Sequence, residues 1–210
     1  MMKIAIEHYS LMYDNALFVD GQLVFSGDAG MEFPELASAM YKSFGLGYPK
    51  FYKMDRLCQL GFLAAELVLK NHFDKEKYPA EALGLVLANA HSSLDTDARY
   101  QQTLAGIPSP AVFVYTLPNI VIGEICIRHQ FKGEQAFFIF ETFDIPFLND
   151  YIDQMLENGA AQLVLGGWVD VLQEQYDACL YLVENQPQAG SIIHNQQNIR
   201  AIYGSLDTGP

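Results

Sequence analysis

Three cysteines, five histidines and two short acidic stretches carry most of the reactive side chains in this sequence. Cys58, Cys126 and Cys179 lie far apart in apolar surroundings, with no Cys-x-x-Cys pair and no Cys/His cluster at zinc spacing. They read as buried, inert thiols, so neither a disulfide framework nor a metal site is expected. His8, His72, His91, His129 and His194 are scattered singly, the pattern of surface or hydrogen-bonded core histidines. In NAHSSLDTD, residues 89–97, His91 could move a proton, and Asp95 and Asp97 could hold a hard cation. A single Asp-x-Asp without further oxygen ligands reads more simply as a solvated loop. Glu141, Thr142 and Asp144 form the second stretch. Two close carboxylates support acid/base work if burial raises one of them, but Thr142 and Asp144 are ordinary helix-capping residues, and capping is the stronger reading. No GxSxG elbow, P-loop, GxGxxG fingerprint or HExxH occurs, and no cofactor is expected. The Gly166-Gly167 pair reads as close backbone packing rather than a phosphate cradle.

These residues need a scaffold, and the apolar pattern supplies one. Strand-like runs occur at residues 3–10 (KIAIEHYS), 83–90 (LGLVLANA), 136–143 (AFFIFETF), 162–171 (QLVLGGWVDV) and 177–184 (DACLYLVE). Nearly continuous apolar strands imply a sheet covered on both faces and mainly parallel. Helical spacing appears over 55–70, with Leu57, Leu60, Leu63, Ala64, Leu67 and Val68 on one face. It recurs over 118–131, with Gly133 as a stop, and over 146–158, between an Asp144 N-cap and Gly159. The order βαβαβαββ predicts a three-layer α/β fold whose last strand runs antiparallel. ALFV and QLVF flank Asp20-Gly21, the preferred pair for a two-residue turn, and predict an inserted β-hairpin in the first connection. No repeat or linker interrupts the chain, so residues 1–210 read as a single domain. In the Gln/Asn-rich tail, 186–210, packing or partial disorder is expected, with Ile192, Ile193, Ile199, Ile202 and Tyr203 able to pack.

Composition narrows the function. Twelve Lys+Arg against twenty-five Asp+Glu give a net charge of −13, which repels nucleic acid and anionic membranes. A hydrophobic content of 50% argues against disorder, yet no apolar run is long enough to cross a bilayer. MMKIAIEHYS lacks the zones of a secretion signal, so a cytoplasmic protein is expected.

Four motifs in order carry a resemblance: KMDRLCQLGFLAAELVL (53–69), SSLDTDARYQQTL, SPAVFVYTLPNIVIGEICIRHQFKG (109–133) and LVLGGWVDV. Together they make the chain resemble the amino-terminal half of a β-ketoacyl synthase (3-oxoacyl-[acyl-carrier-protein] synthase) of the thiolase-like fold. The fold class expected from that resemblance is a three-layer thiolase-like half with a five-stranded mixed sheet. Counted from Gly133, the position at which those synthases carry a nucleophilic cysteine is Thr142, with Glu141 its only obvious neighbour. The family's histidine pair belongs to a carboxyl-terminal half for which the chain leaves no room. The resemblance therefore implies an accessory protein without condensing activity, in fatty-acid-like or polyketide (aryl-polyene-type) assembly.

If a substrate site survives, the resemblance points to Tyr115, Asn119, Phe140 and Phe143, with Phe137 and Phe138 as further pocket walls. Partners implied are a second copy or a full-length synthase, joined through the strand at 136–143, and an acyl carrier protein. The only basic cluster able to meet an acidic carrier is Lys42, Lys50, Lys53 and Arg56. On the helix at 146–158, Ile145, Leu148, Ile152, Met155 and Leu156 face inward while Asn149, Asp150, Asp153, Gln154 and Glu157 face water or a basic partner. Burying those carboxylates unpaired would cost several kcal/mol each. The competing expectation is a small hydrolase or lyase using His91, Asp95 or Glu141.

Overall fold

The computed structural model describes residues 3–70, 72–186 and 189–205. Its strands are β1 (Ala5–Tyr13), β2 (Ala16–Val19), β3 (Gln22–Ser26), β4 (Leu83–Asn89), β5 (Gln135–Ile139), β6 (Leu163–Leu172), β7 (Gln175–Glu184) and β8 (Ile192–Ile193). Its helices are α1 (Phe33–Ser43), α2 (Arg56–Leu69), α3 (Leu94–Thr103), α4 (Pro110–Phe113), α5 (Ile120–His129), α6 (Ile145–Glu157) and α7 (Gln196–Gly204). The sheet order is β3-β2-β1-β7-β6-β4-β5, with β8 beside β1.

The sheet has eight strands rather than five. The expected hairpin forms, with Asp20 and Gly21 at φ of 50° and 76°, the positive values a tight turn between twisted strands requires. It lies in the first connection as expected, and β2 pairs with β1, so the hairpin prolongs the sheet. β4 lies parallel to β5 and β6, and β7 is antiparallel to both β6 and β1. β1 therefore runs with β4, β5 and β6, and β7 alone opposes them among the five strands expected from the sequence, as anticipated.

Helices α1, α2 and α5 close one face over a core that includes Leu60, Leu63, Val121 and Leu165. α6 and α7 close the other over Val86, Ile152, Val164 and Tyr181. α5 stops at Gln130, whose φ of 61° turns the chain, and not at Gly133. Gly133 instead lets two strands approach, since a Cβ there would lie 2.6 Å from the Leu83 carbonyl oxygen. β5 ends four residues before the expected 143 because the chain bends at Glu141–Thr142 to start α6, where Asp144 Oδ1 accepts the Phe147 N–H at 3.0 Å.

The inner face of α6 is as expected: Ile145, Leu148, Ile152, Met155 and Leu156 are all buried. On the other face Asp150, Gln154 and Glu157 are exposed, but Asn149 is buried, contrary to expectation. The cause is the tail. β8 and α7 fold back so that Ile199 and Ile202 join the core, while Ile193 stays exposed. His194, its side chain fully enclosed, meets Asp153 Oδ1 at 2.7 Å, and Asn149 Nδ2 donates to Asp153 Oδ2 at 3.0 Å. The part of the tail at 187–188 and 206–210 lies outside the described residues.

Candidate functional site

The best-organised polar group is built at the carboxyl end of β4. The Asn89 side chain, fully buried, closes a turn on itself by donating to Ser92 O at 2.8 Å and accepting the Ser92 N–H at 3.0 Å. That turn holds Ser92 at a φ of 52° and presents the backbone of Ala90 and His91 to β6. There Asp170 Oδ1 accepts both N–H groups, at 3.1 and 3.0 Å, and Oδ2 lies 2.6 Å from His91 Nδ1. A carboxylate gripping Nδ1 in this way fixes the ring and leaves Nε2 as the free position.

Asp177 stands directly across the β6–β7 ladder from Asp170. Burial raises its carboxyl above the ordinary aspartate range, with the Asp170 charge adding to the rise, while the Tyr203 hydroxyl donates to Oδ2 at 2.8 Å and opposes it. Tyr203 meets Phe143 edge-on at 5.0 Å, and Phe143 stacks on Trp168 at 5.6 Å. His91, Asp170 and Asp177 open into a cleft of about 830 Å³ whose wall also includes Asp14, Glu32 and Glu174. Among the described residues no Lys or Arg lines this cleft, so it favours a cationic or neutral polar occupant over an anion. Among the described residues no Ser, Thr or Cys lines it either, so His91 acting as a base on these groups would activate water.

The other candidates do not converge. Thr142 and Glu141 are exposed in the β5–α6 bend, and among the described residues no hydrogen bond reaches the Thr142 hydroxyl. Tyr115 is buried beside α5, its hydroxyl 3.4 Å from Glu124 Oε1, and burial together with the Glu124 charge raises its phenol. Phe137 packs on the same side, while Phe138, Phe140 and Phe143 pack against the opposite face. Asn119 is exposed at the start of α5. The sheet thus divides the expected substrate wall into two. The stretch at 89–97 is not a solvated loop either: Leu94 begins α3, and Asp95 is buried, accepting the Gln173 N–H at 2.9 Å. Asp97 takes the Ser93 hydroxyl at 3.1 Å, so the two carboxylates serve separate local contacts.

The cysteines are free and buried, and burial pushes the Cys126 thiol up to about 12 and raises Cys58 and Cys179 as well. Of the basic cluster, Lys50 is held by the buried Glu124 at 2.7 Å, and Arg56 by Glu174 at 3.2 Å and the Gln173 carbonyl at 2.6 Å. No helix among the described residues is long and apolar enough to cross a membrane.

No protein-family model and no curated protein sequence matches the chain. Solved structures do. A type II polyketide acyl-carrier protein in complex with its ketosynthase (AntDE:AntF) superposes with a TM-score of 0.64 at 14% identity, over 89% of this chain and 63% of that one. The ishigamide ketosynthase/chain length factor gives 0.60 at 17%, over 90% and 64%. The complex of the ketosynthase ApeO with its chain length factor ApeC, from Xenorhabdus doucetiae, gives 0.56 at 12%, over 100% and 93%. The chain therefore spans just under two thirds of the first two and nearly the whole of the third. Identities this low carry architecture alone, and the architecture is the one the sequence resemblance implied: this chain has the thiolase-like fold of ketosynthases and chain length factors.

Proposed function

We propose that this protein is a ketosynthase-like accessory subunit without condensing activity, cytoplasmic, acting in fatty-acid-like or polyketide assembly of the aryl-polyene type. The observation that carries the reading is Thr142. The position assigned to the nucleophile holds an exposed hydroxyl with no hydrogen-bonded base among the described residues, beside an exposed Glu141. An alcohol is far less acidic than a thiol and needs such a base to attack a thioester. The buried cysteines offer no substitute, their thiols being pushed away from the thiolate form.

A pairing surface supports the subunit role. β5 ends the sheet with β4 as its one partner among the described strands, and Ile139 on it is 48% exposed. Beside it Phe138, Phe140, Phe147 and Tyr151 form a ring cluster with centroids 4.8–6.0 Å apart. An edge with no second partner among the described strands, flanked by the exposed Phe147 and three half-buried rings, invites strand addition by a second chain. The partner we favour is a full-length synthase, since complexes of a ketosynthase with a chain length factor are among the structures this chain superposes on. A second copy of the chain is the alternative. Docking of an acyl carrier protein would fall mainly to the synthase, because two of the four clustered basic side chains here are already held by carboxylates. The test is acyl transfer: offered an acyl carrier thioester, this chain is expected to remain unacylated.

The His91–Asp170 pair favours one second reading, a hydrolase acting on small esters or thioesters with His91 as base. On that reading His91→Ala lowers hydrolysis by roughly a hundredfold, the low end for loss of a general base. Purified wild-type protein that turns over no more ester than its His91→Ala variant dismisses it.

A further inference from the structure

Among the described residues, folding gathers one group of metal-binding side chains that the sequence leaves apart. His8 on β1, Asp20 in the β2–β3 turn and His72 just beyond α2 each offer a donor atom within 4.8 Å of the other two. We propose that His8, Asp20 and His72 form a binding site for a borderline divalent metal ion of the zinc class.

The arrangement is held in place from several sides. Asp20 is clamped to β1 by its N–H on the Tyr9 carbonyl at 3.0 Å and by Oδ1 accepting the Tyr9 N–H at 2.9 Å. This aims Oδ2 at His8 Nδ1, 2.7 Å away. The β1–β7 ladder shifts register between Ile6 and His8. The His8 and His72 rings then stack at 3.7 Å, tilted by 13°. Two imidazoles and a carboxylate form a donor set that suits zinc, copper or nickel and not magnesium or calcium.

Zinc bonds of about 2.1 Å place tetrahedral ligands roughly 3.4 Å apart, so the 2.7 Å His8–Asp20 pair must open slightly, His72 must draw in, and the stacked rings must splay. His72 can do this: it is exposed, and besides the stack on His8 its ring makes a 3.3 Å contact to the Val68 carbonyl. The ion takes the place of the proton between His8 Nδ1 and Asp20 Oδ2, and the ring proton of His8 moves to Nε2. His72 supplies the third bond and water completes the shell. The net charge of −13 adds a general attraction for cations. The ion would tie the hairpin turn to the end of α2.

The test is a titration of untagged protein with zinc chloride, read by calorimetry and by thermal melting, with magnesium chloride as control. One zinc per chain with a raised melting temperature is expected, and no response to magnesium. His72→Ala, at an exposed position, should weaken zinc binding by roughly tenfold or more, as should Asp20→Asn, which keeps the turn. Wild-type protein that shows no saturable zinc binding overturns the proposal. So does His72→Ala protein that binds zinc as tightly as wild type, which would mark the uptake as adventitious.

Discussion

Gly167→Ala protein is expected to be recovered unfolded or not at all. Gly167 lies mid-strand in β6 at a φ of 144°, where L residues are rarely found. A Cβ there would sit 2.0 Å from the Cys179 carbonyl oxygen and 3.0 Å from Leu180 Cα, all backbone of the neighbouring strand. Relief requires β6 and β7 to part at the centre of the sheet, where β7 also joins β6 to β1. Backbone strain and a broken ladder together place the loss at about 4 kcal/mol or more, a large share of the stability of a domain. Gly166→Ala is the comparison. Its Cβ would meet the Cδ1 end of Ile152 at 2.4 Å, a side chain of α6 that can turn away. That variant is expected to fold with a lowered melting temperature, and chemical denaturation of both variants checks the ranking.

The second large effect is on assembly. Phe147→Asp is expected to abolish pairing with a full-length ketosynthase of the same genome at concentrations where the wild type pairs. Phe147 is 38% exposed at the first turn of α6 and packs edge-on against Phe138 and Phe140 at 4.8 and 5.1 Å. A carboxylate there puts an uncompensated charge beside the free edge of β5. Losing an aromatic anchor costs about 2 kcal/mol or more, or roughly thirtyfold in affinity. Size-exclusion chromatography with light scattering reads the complex, and circular dichroism confirms that the variant folds. A Phe147→Asp chain that pairs as well as wild type removes β5 and its aromatics from the interface.

The frame of the fold was legible because apolar patterning is strong where the sheet is. LGLVLAN and LVLGGWVDVL announced β4 and β6, and Asp20-Gly21 announced the hairpin. α1 carried a readable signal that was missed, with Pro34 in its first turn and Phe33, Leu36, Ala37, Met40 and Tyr41 on one face. α3 carried none: LDTDARYQQT is polar nearly all round, and the helix forms over the end of β4. The site was half visible. His91 stood out, but its partner Asp170 lies 79 residues away and reaches it only through the parallel register of β4 and β6. Asp170 is the lone acid of an otherwise apolar strand, a local mark that it serves something besides the core, whereas Asp177 shares β7 with Gln175 and Glu184 and stands out less. The meeting of His8 with His72 depends on the packing of α2 against β1, which no spacing rule encodes.

Whether this chain takes part in acyl transfer is read directly by mass spectrometry. The chain, with a full-length ketosynthase of the same genome, is incubated with an acyl carrier protein loaded with a thioester, and the intact mass of each polypeptide is recorded. An added acyl group is expected on the synthase alone, with this chain at its unmodified mass whether or not its partner is present. An acyl adduct on this chain that maps to Thr142 and disappears in Thr142→Val would contradict it.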